Sequence, residues 1–178
     1  MKAYFPIVVG LVVTACVAKR PDGGSGLLPL GSSAPDFSAR DAAGKVVHLS
    51  DFAGSPRLVY FYPKDETPGC TTEACTFRDG YEAFKEAGAE VVGVSSDSVA
   101  SHESFAAKHR LPFVLLADEG GAVRKRYGVK PTLGILPGRV TYVIDGQGVV
   151  RHVFSAQTGV QRHVSEALDA LSEIEARA

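Results

Sequence analysis

The chain carries three cysteines, Cys16, Cys70 and Cys75, and two of them lie at a junction suited to thiol chemistry. The run Leu58-Val59-Tyr60-Phe61-Tyr62 reads as a short buried strand. It leads through a turn containing Pro63, Pro68 and Gly69 into a helix expected over Thr71 to Ala87. A thiol at the N-terminus of such a helix meets unpaired backbone N–H groups and the positive end of the helix dipole, and both favour thiolate over thiol. Burial works in the opposite direction, so polar neighbours must outweigh it. On a helical wheel of about 100° per residue, Cys70, Ala74, Phe77, Tyr81 and Phe84 share a stripe about 80° wide, so Cys70 faces the core. Cys75 lies about 140° away, on the flank of Asp79 and Glu82. On an ideal helix the two α-carbons are about 8.6 Å apart, beyond the roughly 4.4 to 6.8 Å that a disulfide spans. The two thiols can be joined only if the first helical turn opens.

The surrounding elements set the frame for this junction. Phe37 to Arg40 and Val46 to Leu49 flank Asp41-Ala42-Ala43-Gly44 as a hairpin. Further strands are expected at Val91 to Ser95, Phe113 to Leu116, Val140 to Ile144 and Val149 to Phe154, and helices at Ser101 to His109, Ala122 to Tyr127 and Val160 to Ile174. This alternation predicts an α/β domain with a mixed sheet covered by helices on both faces. The five histidines, at 48, 102, 109, 152 and 163, show no ligand spacing and are read as surface residues. Tyr81 and Phe84 are read as core, whereas Phe61, Tyr62 and Phe77 suit either packing or the lining of a pocket.

With 19 Lys and Arg against 20 Asp and Glu, the net charge is −1, and the chain has no footprint for nucleic acid. Membrane attachment must therefore come from the N-terminus. There Lys2 precedes the apolar run Ala3 to Ala15, laid out like a signal peptide and too short to span a bilayer, which takes roughly 20 apolar residues. Val13-Thr14-Ala15-Cys16 resembles the lipobox of bacterial lipoproteins. Lipidation of Cys16 would account for the odd thiol, with a secretory signal cut after Ala18 as the alternative. The expected organisation is a signal peptide over residues 1–15, a lipidated Cys16 with a flexible tether to residue 30, and one domain over 31–178. This implies a bacterial exported protein, membrane-anchored and facing the periplasm. Val17 after Cys16 resembles outer-membrane sorting.

Pro63, Thr67 and Cys70 fit the Pro-x3-Thr-x2-Cys signature of peroxiredoxins, and Cys75 five residues later resembles the peroxiredoxin Q subgroup, also called bacterioferritin comigratory protein. The resemblance extends through Gly31 to Phe37, Val91 to Asp97, Tyr127-Gly128-Val129 and Arg139 to Asp145. It implies a thioredoxin-like fold and a monomer without metal, haem or flavin. By the same resemblance Cys70 is the peroxidatic thiolate, Cys75 resolves its sulfenic acid as an intramolecular disulfide, and thioredoxin or a thioredoxin-like protein reduces that disulfide. Thr67 would present its hydroxyl to peroxide or thiolate, Pro63 would shield the site, and Arg139 would stabilise thiolate and leaving group. The N–H groups of Gly69 and Cys70 would complete an anion site.

Other thiol functions are compatible with parts of this pattern. A thiol-disulfide oxidoreductase would carry Cys-x2-Cys, and a tethered copper chaperone of related fold Cys-x3-Cys, whereas this chain has Cys-x4-Cys. A structural disulfide is disfavoured by the spacing along one helix.

Overall fold

A computed structural model describes residues 20, 22–132 and 136–177. Seven strands form one sheet: β1 (Ser38–Asp41), β2 (Val46–His48), β3 (Arg57–Phe61), β4 (Glu90–Ser95), β5 (Val114–Ala117), β6 (Val140–Ile144) and β7 (Val150–Ser155). Their spatial order is β2-β1-β5-β4-β3-β6-β7. The three central strands β3, β4 and β5 are parallel, and β1, β6 and β7 each pair antiparallel with a neighbour. Five helices accompany them: α1 (Pro68–Asp79), α2 (Tyr81–Glu86), α3 (Val99–His109), α4 (Ala122–Arg126) and α5 (Gln161–Glu175).

The sheet divides the apolar residues into two cores because successive strand side chains point to opposite faces. From β3, Leu58 and Tyr60 join Phe77, Phe84, Phe105 and Leu171 on one side. Val59 and Phe61 join Phe37, Tyr127 and Tyr142 on the other. β3 is buried along its whole length, which is why it reads as a continuous apolar run. The expected mixed sheet with helices on both faces is what the chain forms.

Three details depart from the sequence expectations. The helix expected over Thr71 to Ala87 begins earlier, at Pro68, and breaks at Gly80 into α1 and α2. Proline is preorganised for the first helical position, whereas glycine is a weak helix former. A 3-10 turn at Leu49–Phe52 follows β2, with Leu49 buried, so the second hairpin strand ends at His48. Two histidines assigned to the surface, His102 and His163, are fully buried.

The segment expected to be a loose tether is packed against the domain where it is described. Leu28 is 4% exposed and its N–H donates to the Tyr142 hydroxyl at 3.2 Å, while that hydroxyl donates to the Tyr127 carbonyl at 2.6 Å. Arg20 donates to the Gly26 and Leu27 carbonyls. A side chain on Gly128, at φ +69°, would run into the Gly26 carbonyl, so the strap lies directly on backbone there. The Gly31 N–H donates to the Val150 carbonyl at 2.8 Å, and the Val150 N–H to the Ser32 carbonyl at 2.9 Å. The many small residues suggested flexibility, but Leu28 fills a site and the small residues permit close approach. Leu28→Ala is expected to lower the unfolding free energy by about 2 to 3 kcal/mol, read from urea denaturation midpoints. An unchanged midpoint would mean that the strap contributes nothing to the fold.

Candidate active site

Cys70 is the third residue of α1, and Thr67 in extended conformation forms its N-cap. The Thr71 N–H is bonded to the Thr67 carbonyl at 2.8 Å, so the helix hydrogen bonding starts immediately after the thiol. Cys70 is 1% exposed, and both it and Cys75, which is partly exposed, are free thiols. The two lie in one unbroken helix, and the distance constraint drawn from the ideal helix applies to this state.

Arg139 reaches the thiol from the residue before β6. Its Nη2 donates to Cys70 Sγ at 3.3 Å, although 69 positions separate the two in the chain. The pairing of β3 with β6 is antiparallel, with Phe61 opposite Val140, and this register brings the start of β6 alongside the end of β3 where the catalytic loop departs. A Cβ on Gly69 would lie 3.4 Å from Arg139 Nη2, so the guanidinium packs closely on the first turn. Pro63 is half-buried. The Thr67 hydroxyl donates to the Lys64 carbonyl at 2.9 Å. Its proton is thus turned back into the loop, and its oxygen remains free to accept.

The sequence reading missed two residues in this site. Glu73 is fully buried one turn beyond Cys70 and is ion-paired with Arg139 Nη1. Burial pushes its carboxyl up to about 8, against the pull of Arg139. Its Oε1 has no hydrogen-bond partner and lies 3.6 Å from His163 Nδ1. Burial likewise lowers His163 to about 4, so the ring is neutral near pH 7. His163 Nε2 faces the Ala156 carbonyl at 2.9 Å and therefore carries the hydrogen, which leaves Nδ1 to accept from Thr141 at 2.8 Å. The wheel held a signal for Glu73, which lies about 60° from Cys70 at the margin of the apolar stripe. The second missed residue is Arg124, buried in α4, which donates to the Tyr62 carbonyl at 2.7 Å and the Gly138 carbonyl at 2.7 Å. It ties the start of the catalytic loop to the segment that carries Arg139. Nothing local in the sequence marks it.

Burial favours the protonated form of Glu73, which leaves the Arg139 guanidinium less shared with a second anion beside Cys70 Sγ. The same shift links to stability. An unfolded Glu73 ionises near its model value of 4.5, whereas the folded group keeps its proton to about 8. The stability associated with that proton is full below about pH 4.5 and is lost as pH rises toward 8. Relative to Glu73→Gln, the wild-type protein should lose a few kcal/mol of stability between pH 5 and 8, as the folded carboxyl gives up its proton. Urea titrations of both proteins across that range check this, and parallel pH profiles would refute it.

Comparison with known proteins places this geometry. The AhpC/TSA family model matches residues 30–153. The chain is 53% identical over 150 residues to a putative chloroplastic peroxiredoxin Q of Oryza sativa subsp. indica, covering 84% of this chain and 69% of the relative. It is 55% identical over 145 residues to the chloroplastic peroxiredoxin Q of Sedum lineare, covering 81% and 78%. Among solved structures, peroxidoxin BcpB of Mycobacterium tuberculosis superposes with a TM-score of 0.77 at 38% identity, over 83% of this chain and 98% of that one. The bacterioferritin comigratory protein of Xanthomonas campestris, studied for alkyl peroxide reduction, superposes with a TM-score of 0.73 at 33% identity, over 84% and 99%.

These findings correct the localisation expected from the N-terminus. The peroxiredoxin Q relatives from Oryza sativa, Sedum lineare and Arabidopsis thaliana are chloroplastic proteins, which counts against the expected periplasm-facing bacterial lipoprotein. A short apolar run ending in cysteine is weak evidence, because targeting segments of several kinds share that composition. Cys16 and the apolar run lie outside the described residues. Among the described residues no helix is long and apolar enough to cross a membrane. With a thioredoxin-like mixed sheet, a thiol in the first turn of a helix and relatives above half identity, the chain belongs to the AhpC/TSA family as a peroxiredoxin Q and is a thiol peroxidase.

Proposed function

We propose that this peroxidase reduces hydrogen peroxide and organic hydroperoxides through Cys70, resolves the product with Cys75, and is recycled as a monomer by a thioredoxin-type dithiol. The observation that carries the reading is the Arg139 guanidinium 3.3 Å from Cys70 Sγ at the opening of α1. The alkyl peroxide reduction described for the Xanthomonas campestris relative supports the inclusion of organic peroxides.

The Cys70 thiolate attacks the terminal peroxide oxygen. The S–O bond forms as the O–O bond breaks, and the departing alkoxide or hydroxide takes a proton to leave as alcohol or water. Arg139 and the N–H groups of Gly69 and Cys70 stabilise both the starting thiolate and the charge that develops on the leaving oxygen. The Thr67 oxygen, its own proton committed to Lys64, accepts from the O–H of the bound peroxide. Pro63 adds no N–H that would compete for the thiolate. The thiolate of Cys75 then attacks the sulfenic sulfur, the S–S bond forms and hydroxide leaves to become water. The helix must open for this step, since Cys70 and Cys75 start five residues apart on one helix. A dithiol reductant restores both thiols by disulfide exchange.

Cys70→Ser is expected to abolish peroxide consumption. Cys75→Ser should consume one equivalent per site and accumulate a sulfenic acid that dimedone traps at Cys70; trapping at residue 75 in the wild-type protein would reverse the two roles. Arg139→Ala should slow sulfenic acid formation about 100-fold or more in single-turnover peroxide kinetics, and an unchanged rate would remove Arg139 from the reaction.

A further inference from the structure

A second buried ionisable cluster lies one loop away from the thiol. Asp65 stands in the turn between β3 and α1, two residues before Thr67, and is 3% exposed, while His102 of α3 is fully buried. Asp65 Oδ2 is 2.8 Å from His102 Nδ1 and accepts from the Ser101 hydroxyl at 2.7 Å. Oδ1 accepts from the Tyr62 hydroxyl at 2.7 Å. The Asp65 N–H donates to Asp97 Oδ2 at 2.9 Å, and the same oxygen accepts from the Ser95 hydroxyl at 2.6 Å. His102 Nε2 faces the Leu116 carbonyl at 3.2 Å. A carbonyl only accepts, so Nε2 carries a hydrogen, and one proton is shared between Nδ1 and the carboxylate. Burial would push the Asp65 carboxyl up, but donation from His102, Tyr62 and Ser101 outweighs it and holds the carboxyl below its usual range.

This cluster ties one residue of the loop before α1 to Tyr62 just after β3, to Asp97 just after β4 and to α3 at once. The next residue, Glu66, has φ +59°, so the chain reverses sharply between the tie and the helix cap. Thr67 and Cys70 are therefore suspended from a fixed point two residues upstream of the cap.

We infer that the buried pair of Asp65 and His102 positions the catalytic turn: it is the anchor against which the first turn of α1 opens and to which it returns. Asp65 and His102 touch neither thiol nor peroxide, and they act through the placement of Thr67 and Cys70. The opening needed for a disulfide then begins beyond Asp65 and leaves the loop before it in place. This inference rests on the assignment of Cys70 as the attacking thiol.

Asp65→Ala removes the tie, whereas Asp65→Asn can preserve it, because the amide donates to a neutral His102 and its oxygen still accepts from Tyr62. Each variant is compared with wild type in full-length protein, per titrated thiol, by two measurements: the single-turnover rate with hydrogen peroxide, and the division of product between dimedone adduct and disulfide. Asp65→Ala is expected to react about tenfold more slowly and to yield more disulfide at the expense of adduct, since the first turn opens more readily. Asp65→Asn is expected to match wild type in both. Ser101→Ala, a smaller change, should move both measurements in the Asp65→Ala direction by about twofold, and it keeps the question decidable if Asp65→Ala does not fold. Wild-type rate and product division in Asp65→Ala or in Ser101→Ala, or an Asp65→Asn protein as slow as Asp65→Ala, would overturn the inference. Failure of Cys75→Ser to form a Cys70 adduct would instead sink the underlying assignment, and this control is read before any Asp65 or Ser101 variant.

Discussion

The charge of one arginine on one thiol organises the rest of the molecule. Arg139 donates to Cys70 across 69 residues of sequence, and both groups are almost fully buried. The guanidinium and the free N–H groups at the N-terminus of α1 converge on the same sulfur. The arrangement requires β6 beside β3, so that the residue preceding β6 meets the helix that follows β3. It also places Glu73 against the same guanidinium, where burial raises the proton affinity of its carboxyl and so weakens its competition for Arg139.

The same helix that carries Cys70 keeps it from Cys75. A continuous α1 holds one thiol in the core and the other partly exposed, so a disulfide between them would call for a second conformation of the same residues. The structure places firm supports on both sides of the turns that such a disulfide would have to open. Upstream are the buried contacts of Asp65. Downstream, Phe77 and Phe84 are fully buried among aromatic neighbours and hold the later turns against the sheet. These supports leave the first turns of α1, where helix hydrogen bonds are fewest, as the least tied part of the helix.

The strap of residues 22–30 shows how composition misleads when packing is left out. Its glycines and prolines have the signature of a linker, and a linker is what the sequence predicts. One well-placed leucine, its N–H bond to the Tyr142 hydroxyl and the bonds of the adjoining Gly31 and Ser32 to Val150 lay it on the domain. The absence of a side chain on Gly128 makes room for it.

By itself the sequence determined the order and type of nearly all elements, the position of the thiols on one helix, and the family to which the residues around Cys70 point. These are local properties, carried by periodicity over a few turns or by spacing within a motif. Arg139 was legible only through the family resemblance. Glu73, Arg124, Asp65 and the buried His102 and His163 were not legible as site or core residues, because a charged side chain in a sequence looks the same whether it is solvated or paired. Only the tertiary structure decided that Glu73 would be buried against Arg139, and that Asp65 would meet His102 beneath the catalytic loop. Their burial is tolerated because partners from distant strands and helices arrive at hydrogen-bonding distance, and that convergence is a property of the assembled sheet rather than of any segment of chain.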